Sequence, residues 1–255
     1  MQSAAETASG IRSPLAWATW GLAAAALLAL ATLAASPYAY YLSHNYQPNS
    51  LAGQLGALAI FLAGWTLMVL AMMLPTATSL LGATAKLRPE AVSARRVQLF
   101  TAVGFLLAWA LVGYLFRAFD VLFHATLDSL GSPQPPAAEI TASALVMAGA
   151  FQFSSLKHRC LTACRTPSSF VYRHWHGERP DRDALRIGSA YGWSCVGCCW
   201  ALMLVMFALG TVNIAWMVAI GALTALEKQA RVGPRLSAPI GVALFGVAAL
   251  VVLGS

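Results

Sequence analysis

The chain carries five cysteines in two short groups, Cys160-x-x-x-Cys164 and Cys195-Val-Gly-Cys198-Cys199. On an α-helix, residues at i, i+3 and i+4 share one face, so each group would present its thiols together. Met203 continues the stripe that begins at Cys195. Sulfur donors gathered in this way suit a soft metal: thiolates and thioethers select Cu(I), and four thiolates also hold zinc. Two thioethers stand in Ala71-Met72-Met73-Leu74-Pro75, and Glu227 closes a hydrophobic run just before Lys228. His158, two residues ahead of Cys160, adds an imidazole nitrogen. The basic residues around Cys160 and Cys164 predict lowered thiol pKa values, which favour the thiolate a metal needs.

Other chemistry competes for the same residues. Cysteine packs well as a small apolar side chain, although five within about 40 residues and in helical register ask for more than packing. Cys195-Val-Gly-Cys198 is also a C-x-x-C, the pattern of a thiol–disulfide oxidoreductase that would use a quinone in a membrane. A c-type haem needs His directly after the second cysteine, where this chain has Cys199. Zinc held by the same thiols would make the protein a braced structural subunit of a larger complex. Away from the cysteines, Asp120-x-x-x-His124-x-x-x-Asp128 shares one helical face and forms a secondary candidate for a harder cation. His174-Trp175-His176 would chelate only from an extended backbone. No H-E-x-x-H motif or phosphate-cradling glycine loop occurs, so hydrolase and nucleotide chemistry have no support.

The elements that position these groups are dictated by composition. Of 255 residues, 59% are apolar and 10% charged, against about 25% charged in soluble domains. That leaves too little polar surface for a water-soluble globule, and it is the opposite of a disordered composition. Charge-poor runs predict an all-α transmembrane bundle of about seven spans, near 15–35, 55–75, 97–118, 138–156, 188–209, 212–226 and 236–253, with a basic loop over 157–187. With a cytoplasmic N-terminus, every Lys and Arg except Arg117 falls on the inner side. The net charge of +7 is thereby a matter of topology and does not point to nucleic acid. Ala34-Ala35-Ser36 loosely matches a signal-peptide cleavage site, but the apolar stretch before it is longer than a usual signal core. This topology puts both cysteine groups, Met72, Met73 and Glu227 at one depth, near the cytoplasmic face.

Several strings resemble a bacterial family of predicted metal-binding integral membrane proteins, long catalogued as a domain of unknown function, some of whose members are labelled copper chaperones. They are Ala71-Met72-Met73-Leu74-Pro75; Phe151-Gln152-Phe153-Ser154-Ser155-Leu156-Lys157 through Cys160-x-x-x-Cys164-Arg165-x-Pro167; Gly192-x-x-Cys195-x-Gly197-Cys198-Cys199-Trp200-Ala201-Leu202-Met203; Asn213-x-x-Trp216-Met217; and Glu227-Lys228. The chain departs from the family where it has Tyr191, often His, and Ser155, often Pro. The resemblance implies a multi-pass protein of the bacterial inner membrane that binds copper through these cysteines. The expected ligands are Cys160, Cys164, Cys195, Cys198 and Cys199, with Met72, Met73, Met203, His158 and Glu227 at the periphery. The expected task is handover of Cu(I), or insertion of it into a partner copper enzyme in the membrane or periplasm. An enzymatic activity is less expected than a carrier role.

Overall fold

The computed structural model describes residues 14–36, 50–131, 135–209 and 214–254. Arg12 and Asn213 lie outside them. Among the described residues the regular elements are all helical. They are α1 (Pro14–Ala34), α2 (Leu51–Met72), a 3-10 turn (Pro75–Ala77), α3 (Thr78–Leu87), α4 (Ala94–Ser129) and α5 (Ala137–Phe151). There follow α6 (Ser155–Arg165), α7 (Pro167–His174), α8 (Pro180–Leu209), α9 (Ile214–Gln229) and α10 (Gly233–Leu253).

Five helices, α1, α2, α4, α8 and α10, are long and apolar enough to cross a membrane. The chain is thus an all-α membrane protein; five of the seven predicted spans reach that length among the described residues, and α5 and α9 lie where the other two, 138–156 and 212–226, are expected. The fourth predicted run, 138–156, is broken: α5 stops at Phe151, and Ser154 caps a new helix by accepting a hydrogen bond from the Lys157 amide at 3.1 Å. At 1.5 Å per residue α5 is about 22 Å long, short of a hydrocarbon core of about 30 Å. The predicted basic loop is also largely helical, being made of α6, α7 and the first turns of α8.

Helix α8 is the centre of the bundle and packs most extensively along α4. The contact is made by small residues four apart. Gly104 and Gly188 each lie against the backbone of the other helix, and a Cβ on Gly192 would meet the Ala108 Cβ at 2.8 Å. Two small-x-x-x-small strips thus let the helices approach with no side chain between them, which is how helices associate in lipid, where burial from water gives no drive. Trp65 of α2 locks onto the same helix, donating its indole N–H to the Trp109 carbonyl at 2.8 Å. A second seam joins α5 to α10, where Gly149 and Gly241 face one another. These seams set the depth at which α8 presents its cysteines.

Candidate metal centre

Three segments converge on the cysteine stretch of α8. Met73, the C-cap of α2, is fully buried with its thioether 4.0 Å from Cys195 Sγ. From α6, Cys164 brings its sulfur to 3.9 Å from Cys198 Sγ. Cys160, on the same helix, lies over Gly197, where a Cβ would come within 2.5 Å of its Sγ. From the end of α9, the Lys228 ammonium donates to Cys195 Sγ at 3.0 Å and to Met73 Sδ at 3.4 Å. The thiols of Cys198 and Cys199 each donate to the Cys195 carbonyl at 3.0 Å. All five cysteines are free; Cys160 is half-buried and the other four are buried.

A shell of polar contacts holds α6 and α9 against α8. Lys157 and Glu227, both 1% exposed, form an ion pair at 2.8 Å, and the Ser237 hydroxyl donates to the second Glu227 oxygen at 3.0 Å. Arg165 donates to the carbonyls of Glu227, Lys228 and Ala230, the group of acceptors that a helix end leaves open. Tyr191 donates its hydroxyl to the Cys164 carbonyl at 2.7 Å and packs edge-on against Phe170. The tyrosine at this position is therefore a brace for the cysteine helix. Ser155 occupies the first turn of α6 after the Ser154 cap, a place where proline is equally at home.

The remaining predicted residues are not drawn to the thiols. Glu227 is committed to Lys157 and Ser237. His158 is exposed, whereas Cys164 is buried. Met72 packs on Gly221 of α9, and Met203 is fully buried in the apolar core below the cysteines. Asp120 pairs with Arg117 at 2.9 Å and takes His124 at 3.5 Å, on a helix that continues unbroken to Ser129, while Asp128 is exposed. His174 stacks on Phe170, and His176 turns toward Asp183. The expectation of lowered thiol pKa values fails as well. Burial, and then the nearby Cys198, push the Cys160 thiol up. Hydrogen bonding with Cys195 and Cys198, reinforced by burial, pushes Cys164 well up. The flanking cations do not offset this, because Arg159 points to solvent while Lys157 and Arg165 are spent on α9.

Lys228 is the neighbour of the thiols that spacing and residue type do not single out. As the residue after Glu227 at a helix end it looks like a capping charge, and only the packing of α9 against α2 and α8 turns it inward.

Two sulfurs bound to one ion at about 2.3 Å lie about 3.8 to 4.0 Å apart at tetrahedral or trigonal angles. The Cys164–Cys198 and Cys195–Met73 spacings of 3.9 and 4.0 Å both fall in that range. Among the described residues, no three His, Cys, Asp or Glu side chains converge on one point as a ready-made metal site. These spacings fit the bond angle of a three- or four-coordinate ion, and an all-sulfur donor set suits Cu(I). No curated protein and no solved structure matches the chain. Residues 62–251, from the middle of α2 almost to the end of α10, match the PpoB2 family, described as copper chaperone, and the chain belongs to that family.

Proposed function

We propose that the protein carries Cu(I) as cargo on its thiol pairs and hands it to a partner copper enzyme. The observation that carries this reading is the 3.9 Å approach of Cys164 and Cys198, thiols from two different helices held there by Tyr191 and by the close contact of Cys160 with Gly197. Half-buried Cys160 is the entry donor, Cys164 and Cys198 hold the ion, and Cys195 and Cys199 stand behind them with Met73. Adjacent thiols let the ion move by exchange: an incoming sulfur binds before the outgoing one leaves, so Cu(I) is never without a ligand. Burial excludes water and hard competing ligands, and the raised pKa values of Cys160 and Cys164 mean that loading releases protons.

We read this centre as lying toward the cytoplasmic side of a bacterial inner membrane, with the N-terminus on that side; the support is that a seven-span topology in this orientation gathers every Lys and Arg but Arg117 on the inner side. A partner in the membrane or periplasm would then receive copper drawn from the inner face. The test is metal analysis of detergent-purified protein, wild type and Cys164→Ser/Cys198→Ser, after anaerobic loading with Cu(I) and washing. Wild type should retain copper and the double variant should not. Equal retention would refute the reading. A quinone-reducible Cys195–Cys198 disulfide in a metal-free protein would replace it with the oxidoreductase reading. Stoichiometric zinc that resists chelators would replace it with the structural one.

A further inference from the structure

The Lys228 ammonium lies between two sulfurs whose spacing matches that of a metal-bridged pair. It is 3.0 Å from Cys195 Sγ and 3.4 Å from Met73 Sδ, and these sulfurs are themselves 4.0 Å apart. An ammonium is a compact cation with three donors and is normally held by oxygen. Here the adjacent carboxylate, Glu227, is occupied by Lys157 and Ser237, and the side chain of Lys228 is turned into the sulfur cluster with the residue only 7% exposed. A buried cation is stable only beside compensating charge or strong acceptors, and in this position those are sulfurs.

We propose that Lys228 is a stand-in cation that closes the inner Cys195–Met73 pair to copper and confines the cargo to the outer Cys164–Cys198 pair. This deepens the copper-carrier reading and rests on it. Charge balance gives the reason. Cu(I) on two thiolates, Cys164 and Cys198, is a complex of charge −1, which the neighbouring ammonium neutralises. Cu(I) on Cys195 thiolate and the neutral Met73 thioether is uncharged, and the ammonium already stands in its place. Entry of the ion there would set two cations beside one anion in a site of low dielectric, where like charges repel far more than in water. The cargo is therefore kept on the outer pair, beside half-buried Cys160, from which a partner can take it. An ion on the inner pair, both of whose sulfurs are fully buried, would leave far more slowly.

The test is the rate at which a soluble Cu(I) chelator removes copper from detergent-solubilised full-length protein. The variants are Lys228→Leu, Lys228→Gln and each of these combined with Met73→Leu, all checked for a monodisperse peak in size-exclusion chromatography. Both neutral variants should release Cu(I) at least about tenfold more slowly than wild type, since loss of the repelling charge opens the inner pair. Adding Met73→Leu should abolish that gain, a non-additivity that locates the captured ion at the inner sulfurs. Release as fast as wild type or faster in both neutral variants, or slow release that persists without the Met73 thioether, would overturn the inference. Wild type that takes up no Cu(I) would instead refute the carrier reading beneath it. Should one neutral variant fail to give a monodisperse peak, the other decides.

Discussion

Two buried polar clusters flank α8, and they are built on opposite plans. Toward the C-terminal end of α8, Arg117 and Asp120 pair at 2.9 Å and His124 closes on the same carboxylate. Asp120 and His124 line one wall of an apolar cavity of about 310 Å³ shared with Phe116, Phe123 and Phe207. There the opposite charges come from the same helix, three residues apart, and satisfy one another. About three turns earlier along α8, the cysteine cluster draws its members from four segments, and its one cation meets sulfur. A pair that cancels within a helix keeps its shape whatever happens around it. A cluster of soft, exchangeable donors from separate helices answers to what enters it. The first plan braces a membrane protein, and the second can carry a ligand.

That contrast can be broken in graded steps. Arg117→Ala should have the largest effect, because it takes the paired cation from a buried carboxylate, a loss of about 3–5 kcal/mol. Thermal unfolding in detergent should show it, while copper retained per folded protein stays at the wild-type value. Cys198→Ser should do the reverse: Cu(I) affinity in a chelator competition should fall about a hundredfold, about 2.7 kcal/mol, with little change in unfolding temperature. Gly197→Ala should cost less, about tenfold or 1.4 kcal/mol in affinity, since the added methyl displaces Cys160 without removing a thiol. His158→Ala should be smallest, within about twofold of wild type in the same competition, because the side chain is exposed while Cys164 and Cys198 are buried. An Arg117→Ala protein that loses copper in proportion to its stability, or a Cys198→Ser protein that unfolds without losing affinity, would erase the distinction between the two clusters.

Much of this arrangement is legible in the residues themselves. Helical register alone sets Cys195, Cys198 and Cys199 on one face, and the charge pattern puts Cys160, Cys164 and Met73 at their depth. What is lost lies in the tertiary contacts. The break at Gln152–Ser154 hides inside a hydrophobic run, although Ser154 before a basic helix is a visible N-cap signal. Gly104-x-x-x-Ala108 and Gly188-x-x-x-Gly192 are plain in the sequence, but only packing shows that they face one another. Lys228 and Glu227 are neighbours in the chain and would be expected to share one role. The end of α9 sends them apart, the carboxylate to Lys157 and the ammonium to the thiols. Met72 and Met73 divide in the same way, one toward α9 and the other toward Cys195.

On the proposed reading, sulfur from two helices, Cys164 on α6 and Cys198 on α8, holds the copper. X-ray absorption at the copper edge of Cu(I)-loaded wild type and Cys164→Ser protein tests it most directly. Wild type should show a first shell of sulfur alone at about 2.3 Å, and the variant one sulfur fewer. Nitrogen or oxygen in the wild-type first shell, or a spectrum unchanged by the substitution, would contradict it.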